Sequence, residues 1–210
     1  MSITGDQMVF LDPSKPIATC TAPECHNCPV SKEVHCHFRP KELIYFLLIC
    51  LPGFIVGGAG LLAFGVWPLL LWIAIIIAFF GFLEIRVMCS HCPHYAEEGT
   101  TLRCWANHGS PKLWNYRPGP MSFIEKISFF GGLAVVWGYP LPFLWLGSLW
   151  FLLVLYILTN GAFFASLKSF LCSQCMNFAC PLNSVSETTR DLFFQRNPSI
   201  AEHWSKNAQD

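Results

Sequence analysis

The chain has 210 residues, 53% of them hydrophobic and only 12% charged, and its 13 basic and 13 acidic residues cancel to a formal net charge of zero. A soluble domain carries about 25% charged residues, so this composition speaks against one. With no net charge and no basic cluster, nothing points to nucleic acid as a partner or to an anionic lipid-surface patch.

Residues 1–42 are polar and proline-dotted, without the apolar run of a cleavable signal peptide. They carry Cys20, Cys25, Cys28 and Cys36, interleaved with His26, His35 and His37. Residues 43–83 follow, and no charged residue lies between Leu43 and Leu83. A hydrocarbon core roughly 30 Å thick takes about 20 helical residues to cross, so this block makes two crossings and a tight turn. The turn is expected at Gly65-Val66-Trp67-Pro68, with Pro68 opening the second span. Pro52-Gly53 is expected to kink the first span, and Gly53, Gly57 and Gly60 would let another helix approach closely. Cys50, set among Leu and Ile, reads as a small hydrophobe.

Residues 84–126 return to polar sequence and hold Cys89, Cys92 and Cys104 with His91, His94 and His108. Residues 127–167 form a second charge-free block, Ile127 to Leu167, with its turn expected around Gly138-Tyr139-Pro140-Leu141-Pro142. Trp67, Trp72, Trp137, Tyr139 and Trp145 would form an interfacial aromatic belt near the two turns. Thr159 and Asn160 are the notable polar pair in the fourth span, suited to helix-to-helix hydrogen bonds. Residues 168–210 carry Cys172, Cys175 and Cys180. They end in a helix through Asp191–Gln195 and a second one capped by Asn197 and opened by Pro198. Trp105, Trp114 and Trp204 are expected to anchor these polar segments to the headgroup layer.

The fold class is therefore an all-α polytopic membrane protein of four spans in two tandem hairpins, with three Cys/His-rich segments on one side. A soluble bundle would need a polar face on every helix, and Leu69–Leu83 has none. All 13 Lys and Arg residues fall in the three shared-side segments, which the positive-inside rule places in the cytoplasm of a cell-membrane protein, both termini included. An internal duplication is expected as well. Phe38-Arg39-Pro40 and Tyr116-Arg117-Pro118 introduce the two blocks. Cys89-Ser90-His91-Cys92 and Cys172-Ser173-Gln174-Cys175 follow them. Two halves running the same way would be related by an axis along the membrane normal.

Ten cysteines in a reducing compartment point to metal rather than disulfides. The expected ligands are Cys20, Cys25, Cys28, Cys36, Cys89, Cys92, Cys104, Cys172, Cys175 and Cys180, with His91 and His94 as further candidates. Each group holds a Cys-x2-Cys or Cys-Pro element: Cys28-Pro29, Cys92-Pro93 and Cys180-Pro181. Cys-Pro closes the ligand run of bacterial-type ferredoxins, which favours iron–sulfur clusters, while zinc closing short core-poor segments is the alternative. The other histidines read as interfacial residues or as donors to sulfur. The layout of four spans backed by Cys-Pro motifs resembles the membrane-bound ferredoxin-type quinol dehydrogenases, whose Cys motifs are tighter than any here. The charge-free blocks contain no His for a bis-histidine haem and no acid or base for a proton relay.

Two functions follow as expectations. One is an electron-transfer subunit whose cytoplasmic clusters connect a soluble or membrane protein partner to a quinone. The other is a non-enzymatic membrane anchor folded by zinc. Chemistry by free thiolates is a third class.

Overall fold

A computed structural model of the chain describes residues 15–206, so the outermost parts of the two end segments, 1–14 and 207–210, lie outside it. Among the described residues every regular element is helical, apart from one isolated antiparallel bridge between Thr101 and Pro111. Four helices are long and apolar enough to cross a membrane: Pro40–Leu62, Val66–His91, Phe123–Leu146 and Trp150–Gln174. The chain is a multi-pass helical membrane protein.

Span 1 is the single helix α1 (Pro40–Leu62), opened by Pro40 at its first position after an extended Arg39. Gly65, at φ 107°, makes the turn into span 2 in a conformation that suits glycine. Span 2 runs through α2 (Val66–Ala78), a π-helical turn (Phe79–Leu83), α3 (Glu84–Val87) and a 3-10 turn at Cys89–His91. Span 3 is α4 (Phe123–Gly138) followed by α5 (Pro140–Leu146). Span 4 is α6 (Trp150–Ser166), again a π-helical turn (Leu167–Leu171), and a 3-10 turn at Cys172–Gln174. The tail forms α7 (Glu187–Arg196), capped by the Ser186 hydroxyl accepting from Thr189 N, and α8 (Pro198–Lys206). The backbone carbonyl of Asn197 opens α8, but its side chain does not cap the helix: Oδ1 accepts from the Thr19 hydroxyl and Nδ2 donates to Phe193 O. The spans overrun the charge-free blocks at their thiol ends, because helical hydrogen bonding continues where the apolar sequence stops.

The second turn differs from expectation. Helix continues through Tyr139 and Pro140, and the chain reverses at Gly147-Ser148-Leu149, with Ser148 at φ 54°. The reason lies in neighbouring spans. Pro140 has no N–H to give to Val136, and the freed carbonyl of Val136 accepts instead from Trp72 Nε1 at 2.8 Å. The next carbonyl, of Trp137, accepts from the Tyr156 hydroxyl at 2.9 Å. The proline therefore interrupts the helical hydrogen bonding without ending the span. Trp72, 2% exposed, and the half-buried Trp137 belong to the packed interior, leaving Trp67 and Trp145 exposed at the turns.

Span 1 packs chiefly on span 4, and span 3 on span 2. Small residues make both approaches close, as expected for Gly53 and Gly57. A Cβ on Gly53 would lie 2.5 Å from Asn160 Oδ1, and one on Gly57 would lie 2.8 Å from Tyr156 and 2.9 Å from Trp72. Thr159 and Asn160 do not bridge helices by hydrogen bonding. Both bond back to their own turn, Thr159 Oγ1 to Leu155 O and Asn160 Nδ2 to Tyr156 O, which is the local option such side chains have in helices.

Glu125 ties the 84–126 segment to span 3. It completes a capping box with Ser122 and accepts from Arg117 Nη2 at 2.6 Å, while Arg117 also donates to Arg86 O at 2.7 Å. Loss of both the cap and the pair predicts that Glu125→Ala destabilises the protein by about 1–2 kcal/mol. A thermal melt in detergent, with Glu125→Gln as the partial case, checks this. An unchanged melting temperature for Glu125→Ala would show that the pair contributes nothing.

Candidate functional site

The ends of spans 2 and 4 are built alike. Each carries a π-helical turn and then a 3-10 turn that begins at the first cysteine of a Cys-Ser-x-Cys element. In each, the second cysteine is extended, at φ −76°, ψ 139° for Cys92 and φ −85°, ψ 129° for Cys175. Its N–H points back at the carbonyl of the first, at 2.9 Å for Cys92 and 3.5 Å for Cys175. A π turn re-aims the helix end, and such turns cluster at functional sites. Here the two re-aimed ends face one cavity.

That cavity, of about 120 Å³, lies at the thiol side of the four spans. Cys89, Cys92 and Cys104 line it from one segment, and Cys172, Cys175 and Cys180 from the other. The second and third cysteine groups of the sequence are thus brought together. Cys50 joins them from span 1, so a residue that reads as a small hydrophobe stands in the cavity wall. Towards the membrane interior the lining is apolar, with Phe46, Phe80, Phe129, Trp137 and Phe163. Cys20, Cys25, Cys28 and Cys36 do not line this cavity.

Sequence reasoning singled out His91 and His94, and the structure separates them. His94 lines the cavity, 4% exposed, with Nδ1 lacking a hydrogen-bond partner. His91 faces elsewhere, with Nδ1 3.1 Å from Gly119 O and Nε2 3.4 Å from Glu125 Oε2. Three polar lining residues carry no cysteine-motif signal, Glu84, Asn107 and Asn177, while His35, interleaved with the first cysteine group, lines the cavity of the other two. Glu84 is the first charge after the long apolar block, which marked it only as a boundary. Asn107 donates from its side chain to Cys89 Sγ at 3.3 Å and from its backbone to Cys104 Sγ at 3.2 Å. Such donors stabilise thiolate sulfur. His35 pairs with Glu42 at 3.1 Å and donates its backbone N–H to Gln174 O, which ties the N-terminal segment to the start of span 1 and the end of span 4. Trp105, expected at the headgroups, is buried in the same wall.

Burial and mutual proximity govern the thiols. Cys92 is pushed well above the ordinary thiol range, by burial first and then by Cys175. Cys175 and Cys180 rise to about 12 and Cys104 to about 11, each mainly through burial. These thiols hold their protons at pH 7, and a cation entering the cavity would have to displace them. Metal uptake is accordingly expected to strengthen as pH rises. Burial, with His37 and Lys112 nearby, pulls His94 down to about 3, so its imidazole is neutral and able to act as a ligand. Glu84 Oε2, His94 Nδ1, Asn177 Oδ1 and Trp137 Nε1 all belong to lining residues, and all are buried without a hydrogen-bond partner. Polar groups left in this way are costly unless a bound group completes them. The donor set is suited to a soft, cationic metal centre. Among the described residues no three His, Cys, Asp or Glu side chains are arranged to hold a single metal ion between them. The thiols ring a cavity and are not closed on a point.

The fold and the cavity define a class: a helical multi-pass membrane protein with a thiol-lined chamber at one end of its spans. No protein-family model, curated protein or solved structure matches the chain.

Proposed function

We propose that the chain is an electron-transfer membrane subunit whose cavity holds an iron–sulfur centre. One observation carries the reading: six thiols from two separate segments meet around one cavity whose far wall is apolar and lies among the spans. Six thiols exceed the four ligands of a closed tetrahedral ion. An iron–sulfur cluster also takes four thiolates, so the six are enough for either centre; the Cys-Pro pairs and the apolar wall favour the cluster, which would supply reversible one-electron transfer. The chain's own part is to exclude water with Phe46, Phe129 and Trp137, and to donate to sulfur through Asn107. In this reading, electrons enter from a soluble reduced protein partner. Two of them, with two protons from the aqueous side, reduce a membrane quinone approaching the apolar wall to the quinol.

Two tandem hairpins derived by duplication fit the matching ends of spans 2 and 4 and the reciprocal packing of span 1 on span 4 and span 3 on span 2. With all Lys and Arg outside the charge-free blocks, the thiol side faces the cytoplasm of the cell membrane, termini included. An epitope inserted at Ser148 should be reached by antibody on intact cells, and one added after Asp210 only after permeabilisation. The reverse pattern would invert the orientation.

The quinone link has its own test. Protein in nanodiscs, reduced with dithionite under argon, should be reoxidised within seconds by a short-chain quinone, read from its visible absorption. Reoxidation by a water-soluble acceptor but not by quinone would remove the quinone from the account.

A further inference from the structure

The cysteines outside the cavity form a group of their own. Cys20, Cys25, Cys28 and Cys36 sit in one stretch whose sole regular element is the 3-10 turn Val30–Lys32. The chain doubles back tightly there. Cys28 N–H donates to Cys25 O at 3.2 Å, and Ser31 donates to Cys28 O through both its N–H and its hydroxyl. Cys25 and Cys36 line one cleft together with Ser31, Val34 and His37.

The segment's own core is thin. Ile17, Val30 and Val34 are buried against Cys92 from the second cysteine segment, Met176 from the third and Phe193 and Ile200 from the tail helices, and Cys20, Cys28 and Cys36 pack against that cluster. Stretches this short fold when a metal cross-links them. The result matters for the cavity, because His35 of this segment lines it. His35 N–H bonds Gln174 O, Thr21 N–H bonds Arg196 O at 2.9 Å, and the Thr19 hydroxyl bonds Asn197 Oδ1 at 2.8 Å.

We infer that Cys20, Cys25, Cys28 and Cys36 form a second metal site, separate from the cavity, that takes one Zn²⁺ with four thiolate ligands and clasps the N-terminal segment against the cavity. Four thiolates complete a tetrahedral zinc and leave no open position, which makes the site structural. Among the described residues no three of these side chains are arranged to hold an ion, and a bound ion would draw the thiols together as it displaces their protons.

The test is metal and acid-labile sulfide analysis of the anaerobically purified full chain beside two double variants. Wild type should carry one zinc per chain. Cys28→Ser/Cys36→Ser should lose that zinc and keep its iron and sulfide, whereas Cys92→Ser/Cys175→Ser should keep the zinc. Zinc retained by Cys28→Ser/Cys36→Ser, or no zinc in wild type, overturns the inference. A wild-type chain with zinc but no iron leaves this site standing and removes the cavity reading instead. Should the first variant aggregate, Co²⁺ exchanged into wild type decides the matter. The spectrum of tetrahedral cobalt with four thiolates supports the site, and its absence overturns it.

Discussion

Cys92→Ser/Cys175→Ser is expected to remove nearly all cavity-bound metal, whereas Cys50→Ser leaves most of it in place. Cys92 and Cys175 occupy matching positions at the ends of spans 2 and 4 and line the same cavity. Serine keeps the shape but offers a hard oxygen where a soft thiolate is needed. Removing both takes one ligand from each segment, so the centre loses its bridge between the two halves of the chain. The apo protein should then melt lower and expose the 84–126 segment to limited proteolysis, because metal binding energy is folding energy. Iron content measured against protein by elemental analysis reads the effect. Full iron in the double variant would mean that the cavity is not the site.

Gly132→Leu should be the most damaging single change in the spans. A Cβ at Gly132 would sit 2.2 and 2.3 Å from two ring carbons of Phe79, which is 3% exposed and lies in the π-helical turn of span 2. A flat ring packed on Phe80 and Phe129 cannot rotate clear as a flexible chain end would. Overpacking of this kind costs about 3 kcal/mol or more. It also pushes on the helix end that aims Cys89 and Cys92 at the cavity. Yield of folded protein in detergent should fall several-fold, and Gly132→Leu/Phe79→Ala should recover part of it, since neighbouring sites are coupled. A single variant that melts like wild type would show that spans 2 and 3 are not packed as described.

Much of the architecture is legible in the sequence, for one physical reason. Hydrocarbon excludes charge, so Leu43–Leu83 and Ile127–Leu167 announce four helices, and glycines at 53 and 57 announce a close crossing. The second turn was not legible. Pro140 and Pro142 look like a stop, and only Trp72, 64 residues away from its acceptor Val136, satisfies the carbonyl that Pro140 frees. Distant side chains decide such cases, and local sequence cannot. The same limit applies to the site. Cys-Ser-x-Cys after each block marks Cys89, Cys92, Cys172 and Cys175 as a related set. That the second and third groups share one cavity while the first stands apart depends on how the span ends are turned. Glu84 and Cys50 are unremarkable in sequence, and His35 is grouped there with the first cysteines, because their place in the cavity wall comes from how distant elements fold together.

Iron and acid-labile sulfide per chain after anaerobic purification, read alongside the visible spectrum, decides whether the six-thiol cavity holds an iron–sulfur centre. A coloured protein with iron and sulfide in near-equal amounts, bleached by dithionite, is expected. A colourless protein with neither, its cavity cysteines all titrating as free thiols on unfolding, would rule out such a centre.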